Sequence, residues 1–451
     1  MNKDSDKILG CWFGLAVGEA MGTAARGCKA GAVSQMFGPM DDYKDVAPYV
    51  GKGVKRYRMK GLYGAISQCA LVVCDQLLQT KKIELPLLID RFVELSYGDS
   101  EEYFGCYRRP EGLIKWAISN ISEPEENLEI KVKQATGACL TIGIPIAMFS
   151  AGNLKVIRKQ TAEITNLFTN NALEIVGAVT TGFLADYFVS GRRPFSPSPD
   201  NWKTLLDDAI QFCQETEAWL IDEQLLPSLQ GNSARPLLIS LECLRDNFDK
   251  PLDKILESIC KTVSETTENP VSHSAQGRTE VLLPAALACI AKSDNQFLPG
   301  LSAVLNKGGE ADKLGALTGS FAGAVYGFSS IPENIKSGLV NFKEIRSRGE
   351  ALSSRRNNNS LKDLFEMESS LTKKENDQRQ RFLQKEPKKK SKSSKTTGDI
   401  GASDSSLPKK EKKGQWRKFQ KDKTKQKRDR RRNLPSTPDP DSEDDSIGDI
   451  K

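Results

Sequence analysis

Eight glycines in two runs constrain this chain more than any other feature. In Ile8–Thr23 they are Gly10, Gly14, Gly18 and Gly22; in the Asn306–Gly327 stretch, NKGGEADKLGALTGSFAGAVYG, they are Gly315, Gly319, Gly323 and Gly327. Residues four apart lie on one helical face, so each run predicts a helix with a groove where another backbone can come close. Two such helices at opposite ends of a long sequence are expected to pack on each other. Apolar periodicity of 3.6 recurs at Gly61–Leu78, Leu85–Ser96, Trp202–Leu220, Pro236–Asn247, Leu252–Val263, Val281–Ala291 and Phe297–Leu305, and no segment sustains period-two alternation. The expected fold class is all-α, one compact multi-helix domain over residues 1–342.

The rest of the chain differs in composition. Residues 343–383 read as a linker in which Leu361, Leu364, Phe365 and Leu371 could form one short amphipathic helix, a docking element for a partner. From 384 to 451 apolar residues are few and disorder is expected. The chain carries a net charge of +6, but residues 409–432 hold 14 Lys/Arg and 3 Asp/Glu, a local +11 that leaves the remainder at −5. An acidic segment follows at 436–449. The basic block is expected to bind nucleic acid through Lys409, Lys410, Lys412, Lys413, Arg417, Lys418, Lys421, Arg428, Arg430, Arg431 and Arg432, by phosphate neutralisation. Trp416 and Phe419 add stacking faces. RNA is favoured over DNA, because disordered basic segments suit flexible strands.

Other chemistries find little support. The single histidine, His273, lies in the loop-like run NPVSHSAQGR, which gives no partner for a zinc site or a nucleophile triad. Ten cysteines without a C-x-x-C pair read as buried thiols of a cytoplasmic protein. No signal peptide opens the chain, and the uncharged stretches Ala135–Gly152 and Leu314–Pro332 are read as core, so no membrane is expected.

Three motif regions, in order, resemble the ADP-ribosylglycohydrolase family. The opening run is similar to that family's G-x-x-x-G-x-x-x-G-D-A-x-G, with Glu19 for the Asp and Arg26 where a Glu is usual. Tyr63–Leu71 is similar to W-T-D-D-T-Q-M-A-L, with Gly64-Ala65-Ile66 in place of Thr-Asp-Asp, followed by Ser67 and Gln68. Asn306–Lys313 is similar to N-x-G-G-D-T-D-T, with Glu310, Ala311, Asp312 and Lys313 closing it; Thr169 and Asn170 stand where the family has Thr-His.

The resemblance implies a pocket lined by Glu19, Arg26, Ser67, Asn170, Glu310, Asp312 and Lys313. In the family this pocket holds two divalent ions. Here the missing Thr-Asp-Asp and the added Arg26 and Lys313 imply a pseudoenzyme without metal or other cofactor, in which Lys313 and Arg26 pair with Glu19, Glu310 and Asp312. The alternatives are an ADP-ribosyl hydrolase with unusual metal use, and a scaffold for a protein partner.

Overall fold

The computed structural model describes residues 3–98, 103–121, 135–191, 195–225, 233–267, 270–356 and 360–385. Among these residues there are seventeen α-helices and no strand. Residues 1–387 form one compact unit.

The opening helix, Lys3–Gly22, and the closing glycine helix, Ala311–Tyr326, make the axis of the fold. They run antiparallel, glycine on glycine. A Cβ at Gly10 would stand 2.3 Å from the Gly323 carbonyl oxygen, at Gly14 2.0 Å from that of Gly319, and at Gly18 1.8 Å from that of Gly315. Real Cβ contacts never come so close, so the two backbones touch where any side chain would separate them. The fourth position departs from the sequence expectation. Gly22 meets Ala311 instead of a glycine, and Gly327 lies beyond the helix as its cap at φ 86°. Trp12 on the opening helix donates to the Ile345 carbonyl at 2.8 Å and ties on the Phe342–Ser354 helix.

The segment expected to be a linker, 343–383, is instead part of the folded unit. Phe342–Ser354 and Leu364–Lys385 are both helices. Arg348, fully buried, forks onto both oxygens of Asp75 at 2.7 and 3.1 Å. Leu364 and Met367 join the core, with Leu361, Phe365 and Leu371 packed against it. The apolar residues read as a docking element therefore dock on their own chain.

Both uncharged stretches are core. Among the described residues one helix, Ala172–Val189, is long and apolar enough to cross a membrane, and 89% of it is buried inside the protein. All ten cysteines are free, eight of them buried, and His273 is exposed in its loop.

Candidate functional site

The closing helix begins at a turn that only glycine tolerates well. Gly308 and Gly309 take φ 68° and 59°. There the chain pairs with the end of the opening motif: Gly27 N–H donates to the Gly309 carbonyl at 2.7 Å, and Gly309 N–H to that of Cys28 at 2.9 Å. Glu310 N–H donates to Ala275 O at 2.8 Å. These backbone bonds set Arg26 beside Glu310 and Asp312, across 286 residues of sequence.

Five charged side chains meet there. The Arg26 guanidinium is 2.7 Å from Asp312, 3.6 Å from Glu310 and 3.7 Å from Glu111. The Lys313 ammonium contacts Glu111, lies 3.2 Å from Glu310, and donates to the Thr136 carbonyl at 2.8 Å. Lys313 and Asp312 are nearly out of water, at 4% and 2% side-chain exposure, whereas Glu310 and Arg26 reach it at 29% and 26%. Burial works against the Lys313 ammonium, but Glu111 and Glu310 outweigh it and hold its pKa above the ordinary lysine value. Arg26 is likewise held charged, chiefly by Asp312.

The pairing of Arg26 and Lys313 with Glu310 and Asp312 thus exists, but Glu19 stands apart from it. Its buried carboxylate accepts from the backbone N–H of Ser67 at 2.8 Å and of Ile66 at 3.3 Å, capping the Ala65–Thr80 helix. Burial pushes the Glu19 carboxyl above the usual range, and Arg109 pulls against that. Gly64 is needed here, since a Cβ on it would stand 2.7 Å from Glu19 Oε1 and 2.8 Å from an Arg109 terminal nitrogen. Asn170 sits half-buried in the turn between Phe168 and Ala172. The basic residues from Lys409 to Arg432 lie outside the described residues.

Sequence reading missed Glu111, Thr136 and Arg109. Glu111 follows Pro110 in a segment that reads as polar loop, and 202 residues separate it from Lys313. Nothing local marks it. It arrives because Arg108 O accepts from Ala65 N–H at 2.8 Å, which fixes the loop against the start of the Ala65–Thr80 helix.

A pair of hard divalent ions needs a cage of oxygen ligands. The residues present do not fit one. Gly64, Ala65 and Ile66 offer no side-chain oxygen, Glu19 is engaged by backbone N–H groups, and the remaining carboxylates converge on an ammonium and a guanidinium. Among the described residues, no group of three or more His, Cys, Asp and Glu is arranged to hold a metal ion.

Fold and site together define an all-helical domain closed on a glycine-packed helix pair, with a half-buried charge cluster at the head of the closing helix. The profile of the ADP-ribosylglycohydrolase family matches residues 1–362, and the chain belongs to that family. Among solved structures, one described as an ADP-ribosylglycohydrolase-related protein complex shares the fold at a TM-score of 0.54 and 19% identity, covering 79% of this chain and 100% of that one. Comparison with curated proteins gives no match.

Proposed function

We propose that this chain is a non-catalytic ADP-ribosylglycohydrolase-like protein in which fixed cations take over the electrostatic part of a metal pair. One observation carries this reading. The Lys313 ammonium, 4% exposed, lies among Glu111, Glu310 and the Thr136 carbonyl, while Arg26 holds Asp312. A lysine there has no lone pair to give a metal and repels one, and an always-charged arginine cannot exchange protons at neutral pH. The test is hydrolysis of ADP-ribosylated protein by the purified chain with Mg²⁺ or Mn²⁺. No release of ADP-ribose is expected; turnover that a chelator abolishes would overturn the proposal and favour an active hydrolase.

We further propose that the basic block at 409–432 gives the protein its partner, single-stranded RNA. Its 14 Lys/Arg, with Trp416 and Phe419 among them, support this. Free cysteines throughout the domain support a reducing, cytoplasmic setting. The comparison should cut the chain after Pro387, because the Leu364–Lys385 helix belongs to the domain. Binding should be lost in the truncated protein and should fall steeply with salt in the whole one. Equal affinity in the two proteins would place binding elsewhere and favour the protein-scaffold alternative.

A further inference from the structure

A groove of about 810 Å³ opens at the far end of the Ala65–Thr80 helix, roughly 20 Å along its axis from Gly64. Two helix faces make its walls. Val72, Asp75, Gln76 and Gln79 stand at i, i+3, i+4 and i+7 on that helix. Leu87, Asp90, Arg91 and Glu94 repeat the spacing on the Leu85–Glu94 helix. Leu361 and Leu364, at the entry to the Leu364–Lys385 helix, close the third side. Part of that side, Asp363 and Leu364, lies beyond the residues matched by the family profile.

The Leu85–Glu94 helix buries Leu88 and Phe92 in the domain and leaves its groove face uncovered. Among the described residues four large hydrophobic side chains are exposed. Two of them, Leu87 at 47% and Tyr97 at 44%, stand on this groove. The charges along it do not balance. Arg91 is taken by Glu94 at 2.6 Å, and Asp75 by the buried Arg348 at 2.7 Å. Among the described residues Asp90 and Asp363 have no ion-pair partner, and Lys362, 70% exposed, lies 3.9 Å from Glu344. Gln76 adds an acceptor that no donor meets. Its amide nitrogen donates to the Glu84 carbonyl at 2.7 Å, and its oxygen is buried without a partner.

We propose that this groove docks an amphipathic helix of a protein partner, with an apolar stripe flanked by lysine or arginine. Helical walls favour a helical guest, because side-chain ridges at four-residue spacing fit between those of another helix. An extended peptide would need an open strand edge, and no strand exists among the described residues. The basic flanks follow from Asp90 and Asp363, whose charge also disfavours a nucleic-acid strand or an anionic lipid surface. The inference depends neither on the loss of catalysis nor on RNA binding by the basic block.

The test is fluorescence anisotropy of a labelled amphipathic helix built of leucine and lysine, titrated with the full-length protein at physiological ionic strength. The wild type should bind it saturably. Leu87→Asp, which puts a carboxylate on the apolar rim, should weaken binding at least tenfold. Asp90→Lys should weaken it several-fold and should strengthen binding of the same peptide with glutamate in place of lysine. Both positions are exposed, so the variants should keep the circular dichroism of the wild type. Leu383→Asp, at an exposed leucine outside the groove, should change nothing. No saturable binding by the wild type, or groove variants that bind like it, would overturn the proposal. So would a wild-type chain that self-associates in sedimentation and becomes monomeric on Leu87→Asp, which would give the groove to a second copy.

Discussion

The Arg108–Glu368 pair and the Arg26–Lys313 cluster both take charge out of water, and they satisfy it to different degrees. Arg108 and Glu368 are 0% exposed and 2.6 Å apart. Arg108 also donates to the Tyr63 carbonyl at 2.9 Å and to Thr372 Oγ1 at 3.0 Å. Glu368 accepts from Tyr63 Oη at 2.7 Å and Gln68 Nε2 at 2.8 Å. That network is closed, with every group committed to packing the Leu364–Lys385 helix onto the domain. The Arg26–Lys313 cluster has three carboxylates for two cations, and its exposure grades from 2% at Asp312 to 29% at Glu310. Glu310 Oε2 lies 3.2 Å from the Lys313 ammonium without hydrogen-bond alignment. A closed network holds structure; the graded one leaves part of its charge within reach of water.

The difference predicts a ranking of stabilities under urea denaturation. Glu368→Ala strands the Arg108 guanidinium in the core and should cost about 3–5 kcal/mol, the scale for breaking a buried pair from one side. Lys313→Ala should cost less, about 2–3 kcal/mol, because Glu111 and Glu310 retain access to water that relieves their unpaired charge. A loss equal to that of Glu368→Ala would erase the contrast, and no loss would mean that Lys313 does not stand in for metal charge.

The pH dependence sharpens the same comparison. The folded-state pKa of Lys313 lies above 10.5, so its contribution is complete below that value and fades as pH rises through the raised one. The deficit of Lys313→Ala relative to wild type should therefore be constant through neutral pH and shrink only above 10.5. A deficit that already changes near neutrality would assign the titration to another group.

Arg26→Ala comes next, at about 1–2 kcal/mol, since it removes a charged hydrogen bond from Asp312 but leaves a cavity that water can fill. The exposed pair Arg346–Glu350, 2.8 Å apart, sets the floor: Arg346→Ala should change stability by no more than about 0.5 kcal/mol.

How much of this was legible in the sequence depends on distance along the chain. The glycine steps announced the helix pair because four-residue spacing is a local signal, and Arg26, Glu310, Asp312 and Lys313 were legible because each sits inside a motif. Gly327 misled, since a glycine in register can as well be a cap. Glu111 could not be read, because a carboxylate in a polar loop carries no mark of the ammonium that folding brings to it. The Leu364–Lys385 helix was under-read for a related reason. Its charged residues suggest solvent, and burying Glu368 requires Arg108, Tyr63 and Gln68 from far upstream.

The central claim is that Arg26 and Lys313 occupy, in charge, the place of a divalent pair. Calorimetric titration of Mg²⁺ and Mn²⁺ into the full-length protein tests it most directly, run beside the double variant Arg26→Glu with Lys313→Thr. The account predicts no tight, saturable uptake by the wild type, and a gain of affinity when the two cations are removed and oxygen ligands put in their place. Tight uptake of one or two ions per chain by the wild type, lost in Asp312→Ala, would contradict it.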